Sequence, residues 1–155
     1  MNRRELLAAG FGLSPLWAAL VGCSRDEGWP PGLDPIHWDR DTCARCRMVI
    51  SDRRFAAELV GAGANQALKF DDIGCALFWL RDKAATLPWA SASDTRLWVA
   101  DLASRGTVPN WLDARQAQYV SRMSPMAYNF AATPRPDAGS VDFLTMREHV
   151  LARGR

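Results

Sequence analysis

The run Cys43-Ala44-Arg45-Cys46-Arg47-Met48 places two thiols and a thioether within six positions. Soft sulfur donors of this kind favour Cu(I) over oxygen-seeking cations. If Cys46 to Met48 is extended, both side chains project from one face, because strand side chains alternate with period two, and one metal could bridge them. A closed zinc site wants four Cys or His ligands, and this chain, with four Cys and two His, has no second CxxC. Iron–sulfur clusters fail on the same count. Two other readings stand beside metal capture. In an oxidising compartment Cys43 and Cys46 can form a structural disulfide, or the CxxC can serve thiol–disulfide exchange. Exchange prefers an attacking Cys at a helix N-terminus after a strand, whereas this motif follows a Pro-rich stretch and runs into β-type sequence. Arg45 and Arg47 would lower the thiol pKa values in either chemistry. Met48, next to Val49 and Ile50, also reads as a core residue.

Further ligands could come from Ser124-Pro125-Met126, with Met123 nearby, although each Met alone reads first as core filling. His37 lies close to Cys43 in sequence, but Pro35 and Trp38 around it suggest an ordinary capped turn. Cys75, between Gly74 and Ala76 and followed by Leu77-Phe78, reads as packing in the middle of a helix. His149 falls near the end of the last helix, where a cation complements the dipole. Asp71-Asp72 resembles a hard-metal pair, yet helix capping explains it more simply. Seven Trp fit core contacts.

The elements that must position these residues begin near Pro35. Short strands are expected at Arg47–Ile50, Phe55–Val60 and Ala67–Phe70, the last two joined by a turn at Gly61–Asn65. Asp71 or Asp72 caps a helix over Ile73–Lys83, where Ile73, Leu77 and Leu80 share a face and Pro88 blocks continuation. Strands follow at Leu97–Leu102, Val108–Leu112, Tyr119–Val120 and Tyr128–Ala132. A closing helix over Asp137–Arg153 carries Val141, Leu144, His149 and Leu151 around a partly apolar face. Both halves thus end an aromatic strand with acidic residues and a helix, which predicts an α+β fold of two related subdomains, about 35–90 and 91–155.

The composition is that of a globular chain: 155 residues, 48% hydrophobic and 23% charged, which excludes collagen-like, coiled-coil and wholly disordered classes. Net charge is only +2, so no basic field points to nucleic acid. Arg3 and Arg4 precede an apolar run, Leu6 to Gly22, which ends in Leu20-Val21-Gly22-Cys23, the pattern of a bacterial lipoprotein signal over residues 1–22. Ser14-Pro15 and the short length argue against a permanent transmembrane anchor. Cys23 becomes the lipidated first residue, and residues 23–34, with Gly28, Pro30, Pro31 and Gly32, a flexible tether. The Asn2-Arg3-Arg4-Glu5-Leu6-Leu7 run resembles a twin-arginine export motif, with the general secretory route as the alternative. No Ser/His/acid set, phosphate loop or supported carboxylate pair marks an enzyme.

The lipoprotein signal, Cys43-x-x-Cys46-x-Met48, Phe70-Asp71-Asp72-Ile73-Gly74, Leu97 to Asp101, Ala117-x-Tyr119-Val120 and Ser124-Pro125-Met126-x-Tyr128 together resemble the NosL family in order and spacing, from about Asp39 to Leu151. The resemblance implies two ββαβ-like subdomains, similar to the core of organomercury lyase. It also implies a non-enzymatic, periplasm-facing lipoprotein that carries Cu(I) for assembly of the copper centres of nitrous oxide reductase, with a membrane ABC-type maturation complex and the reductase itself as partners. Cys46 and Met48 match the family's Cys-x-Met copper motif, Cys43 its preceding Cys, and Met126 a Thr-Pro-Met segment that completes or shields the site. Arg47 stands where the family has Gly, and Ser124 where it has Thr. The alternatives are a copper chaperone for another cuproenzyme, a membrane-tethered thiol–disulfide oxidoreductase using Cys43 and Cys46, and, on fold analogy alone, an organomercury-lyase-like enzyme.

Overall fold

The computed structural model describes residues 28–61 and 67–154. The expected signal peptide, Cys23 and the rest of the turn after Gly61 lie outside them. The chain is α+β, with six strands and two helices among the described residues: β1 (Ala57–Val60), β2 (Leu68–Phe70), α1 (Ile73–Lys83), β3 (Arg96–Ala100), β4 (Trp111–Asp113), β5 (Gln118–Ser121), β6 (Phe130–Thr133) and α2 (Phe143–Ala152). A short 3-10 helix, Pro88–Ser91, starts at the proline expected to block α1.

β1, β2, α1 and β3 form a ββαβ unit. All pairings are antiparallel and the sheet order is β2-β1-β3-β4. β1 is central, so Ala57 faces Phe70 on one side and Val99 on the other, and Leu59 faces Leu68 and Leu97. A central strand covered on both faces should be apolar throughout, yet β1 buries Glu58 completely. β5 and β6 pair as a second, two-stranded sheet. That sheet is joined to the first where Asp101, just past β3, bridges Ala132, and it is flanked by Val141, which exchanges backbone hydrogen bonds with Tyr119. α1 and α2 pack on each other over one continuous core that includes Phe70, Phe78, Tyr119, Tyr128, Met146 and Val150.

α1 begins and ends as the sequence predicts, because Asp72 accepts the Gly74 N–H at 2.9 Å and Arg81 and Lys83 occupy the last turn, satisfying orphan donors and complementing the helix dipole. α2 starts six residues later than expected. Gly139 has φ +78° within the 137–140 turn, which no helix accommodates, and Asp142 supplies the cap by accepting the Thr145 N–H at 2.8 Å. Its buried positions are Met146 and Val150, four apart on one face, while Leu144 is 65% exposed. The expected stripe through Leu144 is therefore rotated away from the core. β6 starts at Phe130 because Ala127 and Asn129 both adopt positive φ. β4 starts at Trp111, beyond Pro109, which has no N–H to donate to a ladder. Packing begins ahead of Pro35: Trp29 stacks on Trp111 at 5.4 Å, Leu33 is buried, and Asp34 accepts the Ala67 N–H at 2.8 Å.

Candidate metal centre

No strand forms over Arg47–Ile50. The Cys43 N–H donates to the Met48 carbonyl at 2.8 Å, and the Arg47 N–H to the Cys43 carbonyl at 3.0 Å. These bonds close a tight loop whose turn is completed by Arg47 at φ +66°. Below the loop, Thr42 bridges Val49, and Ile50 and Asp41 are paired through the Ile50 N–H. The left-handed residue is what rolls the backbone back over its own cysteines. The N–H groups of Arg45 and Cys46 both point at Cys43 Sγ, and that of Met48 at Cys46 Sγ. Such a nest of N–H groups favours negative charge on sulfur. The loop is docked on the sheet edge by the Ala44 N–H, which donates to the Lys69 carbonyl of β2 at 2.8 Å.

β2 turns through Asp71-Asp72 directly into α1, and this turn delivers a third thiol. Cys43, Cys46 and Cys75 place their sulfurs within 4.8 Å of one another, and all three are free thiols. Cys75 is not mid-helix packing. It is the third residue of α1, in a first turn that is wholly buried, and so its sulfur stands at the positive end of the helix dipole. The signal available in the sequence was its place three residues after an Asp N-cap that itself closely follows a strand.

The three sulfurs differ in charge. Cys43 is drawn down to about 5, first by a hydrogen bond from the Cys75 thiol and then by the N–H groups of Asp71, Cys46 and Arg45, which outweigh its burial. Cys75 is pushed far up, as the donor to that thiolate and by burial. Cys46 is raised, mainly by burial. Cys43 and Cys75 are buried and Cys46 is half-buried, so the sulfur drawn towards the thiolate lies inside and the more accessible one is drawn the other way. Asp71 and Asp72 are each pushed up to about 6, first by burial, with the Cys43 charge adding to the effect.

A second loop closes over the α1 N-terminus. Ser124 donates its hydroxyl to Asp72 Oδ2, and the Met126 N–H donates to the same oxygen at 3.4 Å. Tyr128 lies across Gly74, where a Cβ would come within 2.1 Å of its ring, and receives a hydrogen bond from Arg45 Nη1 at 3.0 Å. The Arg45 guanidinium also sits 4.7 Å over the Phe78 ring, a cation–π contact that fixes it against α1. Asp72 is thus the helix cap that the sequence allows at Asp71 or Asp72, and beyond that the tie between two loops.

The structure brings Cys43 and Cys46 together as expected and adds Cys75. Cys46 and Met48 do not share a strand face, because Arg47 is left-handed and the segment is not extended. Met48 is no core residue either: its side chain is 54% exposed while its backbone frames the loop. Met126 packs half-buried against the core, and Met123 is 89% exposed and so fills no core. His37 is an exposed turn residue whose N–H donates to Asp41 at 3.0 Å.

No protein-family model matches the chain, and no curated protein sequence matches it. Among solved structures it is similar to the copper chaperone NosL from Shewanella denitrificans, with a TM-score of 0.48 and 18% identity, over 77% of this chain and 88% of that one.

Proposed function

We propose that this chain is a copper carrier that holds Cu(I) on Cys43, Cys46 and Cys75 and passes it to a partner through the exposed side of the site. The observation that carries the reading is the three-sulfur cluster. An all-thiol donor set selects soft ions, and with no fourth His, Cys, Asp or Glu joining it among the described residues, it suits low-coordinate Cu(I) better than tetrahedral zinc. Cys43 supplies a ready thiolate. Capture displaces a proton from each of Cys46 and Cys75, because thiolates are the ligands. The α1 N-terminus and the backbone N–H nest offset the negative charge of a cuprous trithiolate. Cys43 and Cys75 keep the ion away from water, while half-buried Cys46 and the exposed Met48 thioether form the exit: soft donors from the partner displace the thiolates one at a time, each Cu–S bond that breaks being replaced by one to the partner, and Cys46 and Cys75 take back the protons they gave up on capture.

A thiol–disulfide enzyme needs its accessible sulfur to be the thiolate. Here burial raises the half-buried Cys46 while the buried Cys43 is lowered, which supports the carrier reading over exchange. The sequence resemblance supports the finer assignment: tethering by lipid on Cys23, a periplasm-facing position, and delivery to the maturation complex of nitrous oxide reductase.

The test is an anaerobic titration of the purified chain against a chromophoric Cu(I) chelator. One-to-one binding should weaken at least about tenfold in Cys43→Ser, Cys46→Ser and Cys75→Ser alike, as expected when one of three charged ligands is lost. Met48→Ala should keep the stoichiometry and slow transfer to a thiol acceptor. Binding insensitive to Cys75→Ser would overturn the three-sulfur site.

A further inference from the structure

The segment that leaves the cysteine loop, Ser51 to Arg54, lines a cleft of about 530 Å³ together with Ser104 and Arg105. Three of its six lining residues are arginines and one is an acid, Asp52, which is committed to Arg54 through contacts of 2.6 and 2.9 Å. The cleft therefore keeps a positive excess. Arg53 is held by Trp38, with its guanidinium 5.1 Å from the ring centroid, and its Nε is buried without an acceptor among the described residues. Trp38 is itself fixed by donating Nε1–H to the Thr107 carbonyl at 2.7 Å. Arg105 is oriented by bonds from Nη1 to the carbonyls of Leu102 and Ser104. Both cations are thus pre-positioned, which lowers the entropy cost of using them.

The cleft begins at Ser51, on the segment that leaves the cysteine loop. Asp71 lies between the two: the Ser51 backbone N–H lowers the pKa of its carboxyl slightly, and its own backbone N–H lowers that of the Cys43 thiol. Between cleft and cysteines, Met48 and Val49 are 54% and 45% exposed, giving an apolar strip beside a basic one. Fixed guanidiniums in a fork geometry match carboxylates, and an apolar strip alongside them matches a peptide better than a lone ion.

We propose that the Arg53–Arg54–Arg105 cleft is the docking surface for an acidic segment of a protein partner, which aligns that partner's metal donors with Cys46. The proposal rests on the carrier reading only for what is exchanged there.

The experiment follows amide shifts of the full, metal-free chain in mild detergent on adding a synthetic peptide of alternating Glu and Leu. The comparison is between Arg53→Gln/Arg105→Gln and a control of equal charge loss, Arg135→Gln/Arg147→Gln, both exposed elsewhere. The expected result is shifts at Ser51–Arg54 and Arg105, affinity that falls with salt, a loss of about tenfold or more in the cleft pair, and about twofold or less in the control. Cu(I) affinity should be equal in all three proteins. No binding, or equal loss in both variants, overturns the docking surface. So does inorganic phosphate that saturates the same amides as tightly as the peptide, or vesicles of phosphatidylglycerol whose binding is lost in the cleft pair. Peptide docking as expected in a chain that binds no Cu(I) would sink the carrier reading and leave the cleft standing.

Discussion

At the scale of single residues, the site depends on one backbone conformation. Arg47 at φ +66° carries a cost of about 1–2 kcal/mol for a side chain in the left-handed region, and it does so where it folds two cysteines into one nest. Replacing it with glycine relieves that cost but adds about 0.5–1 kcal/mol of unfolded-state entropy. Arg47→Gly should therefore be more stable by about 0.5–1 kcal/mol in urea denaturation, and a loss of stability would show that the Arg47 side chain does more than tolerate the turn. The Cys43–Cys46 pair was legible in the sequence because two thiols three apart must meet in any tight loop. The geometry of Met48 was not, since an αL residue between two positions undoes the period-two rule and nothing but glycine announces αL in a sequence. Cys75 was missed for a related reason: apolar neighbours on both sides describe a buried position, and burial alone does not say whether a thiol faces leucine or another thiol.

At the scale of elements, α1 does most of the positioning, and it was the best-read element because cap, apolar face and stop residues agree. Its N-terminus presents Cys75, and its cap, Asp72, ties down the Ser124–Met126 loop. Gly74 lets Tyr128 lie against this turn, where an added Cβ would meet ring atoms at 2.1, 2.2 and 2.7 Å. Gly74→Ala should thus lose about 1–3 kcal/mol of stability through overpacking, despite alanine's higher helix propensity. Thermal unfolding measures this, and an unchanged or raised Tm would mean that Tyr128 moves aside freely. The later elements were read with displaced ends because their limits are set by positive-φ residues, Ala127, Asn129 and Gly139, which only the fold selects. The order of strands and helices was legible, but the pairing of β3 with β1 across a helix was not, because non-local register leaves no trace in periodicity.

At the scale of the whole molecule, the central strand carries a buried acid. Glu58 lies opposite Lys69 and accepts the Asp34 N–H at 3.1 Å, but its Oε1 has no partner among the described residues. Burial pushes its carboxyl up from the ordinary 4.5 to about 8, against smaller lowering effects. The folded state then binds this proton more tightly than the unfolded chain, so the stabilisation is complete below pH 4.5 and is lost as pH rises towards 8. Asp71 and Asp72, raised to about 6, act in the same direction at lower pH. Glu58→Gln should therefore flatten the fall in Tm between pH 6 and 8, and a fall of unchanged slope would assign it to other groups. The same molecule gathers three cysteines from a loop and a helix onto one buried point, and the copper carrier reading stands on that convergence. X-ray absorption at the copper edge of the anaerobically loaded chain tests it most directly. The expected result is a Cu(I) edge and a shell of three sulfur scatterers, one each from Cys43, Cys46 and Cys75, with one scatterer lost in Cys75→Ser. A shell with nitrogen or oxygen neighbours, or one that Cys75→Ser leaves intact, would contradict it.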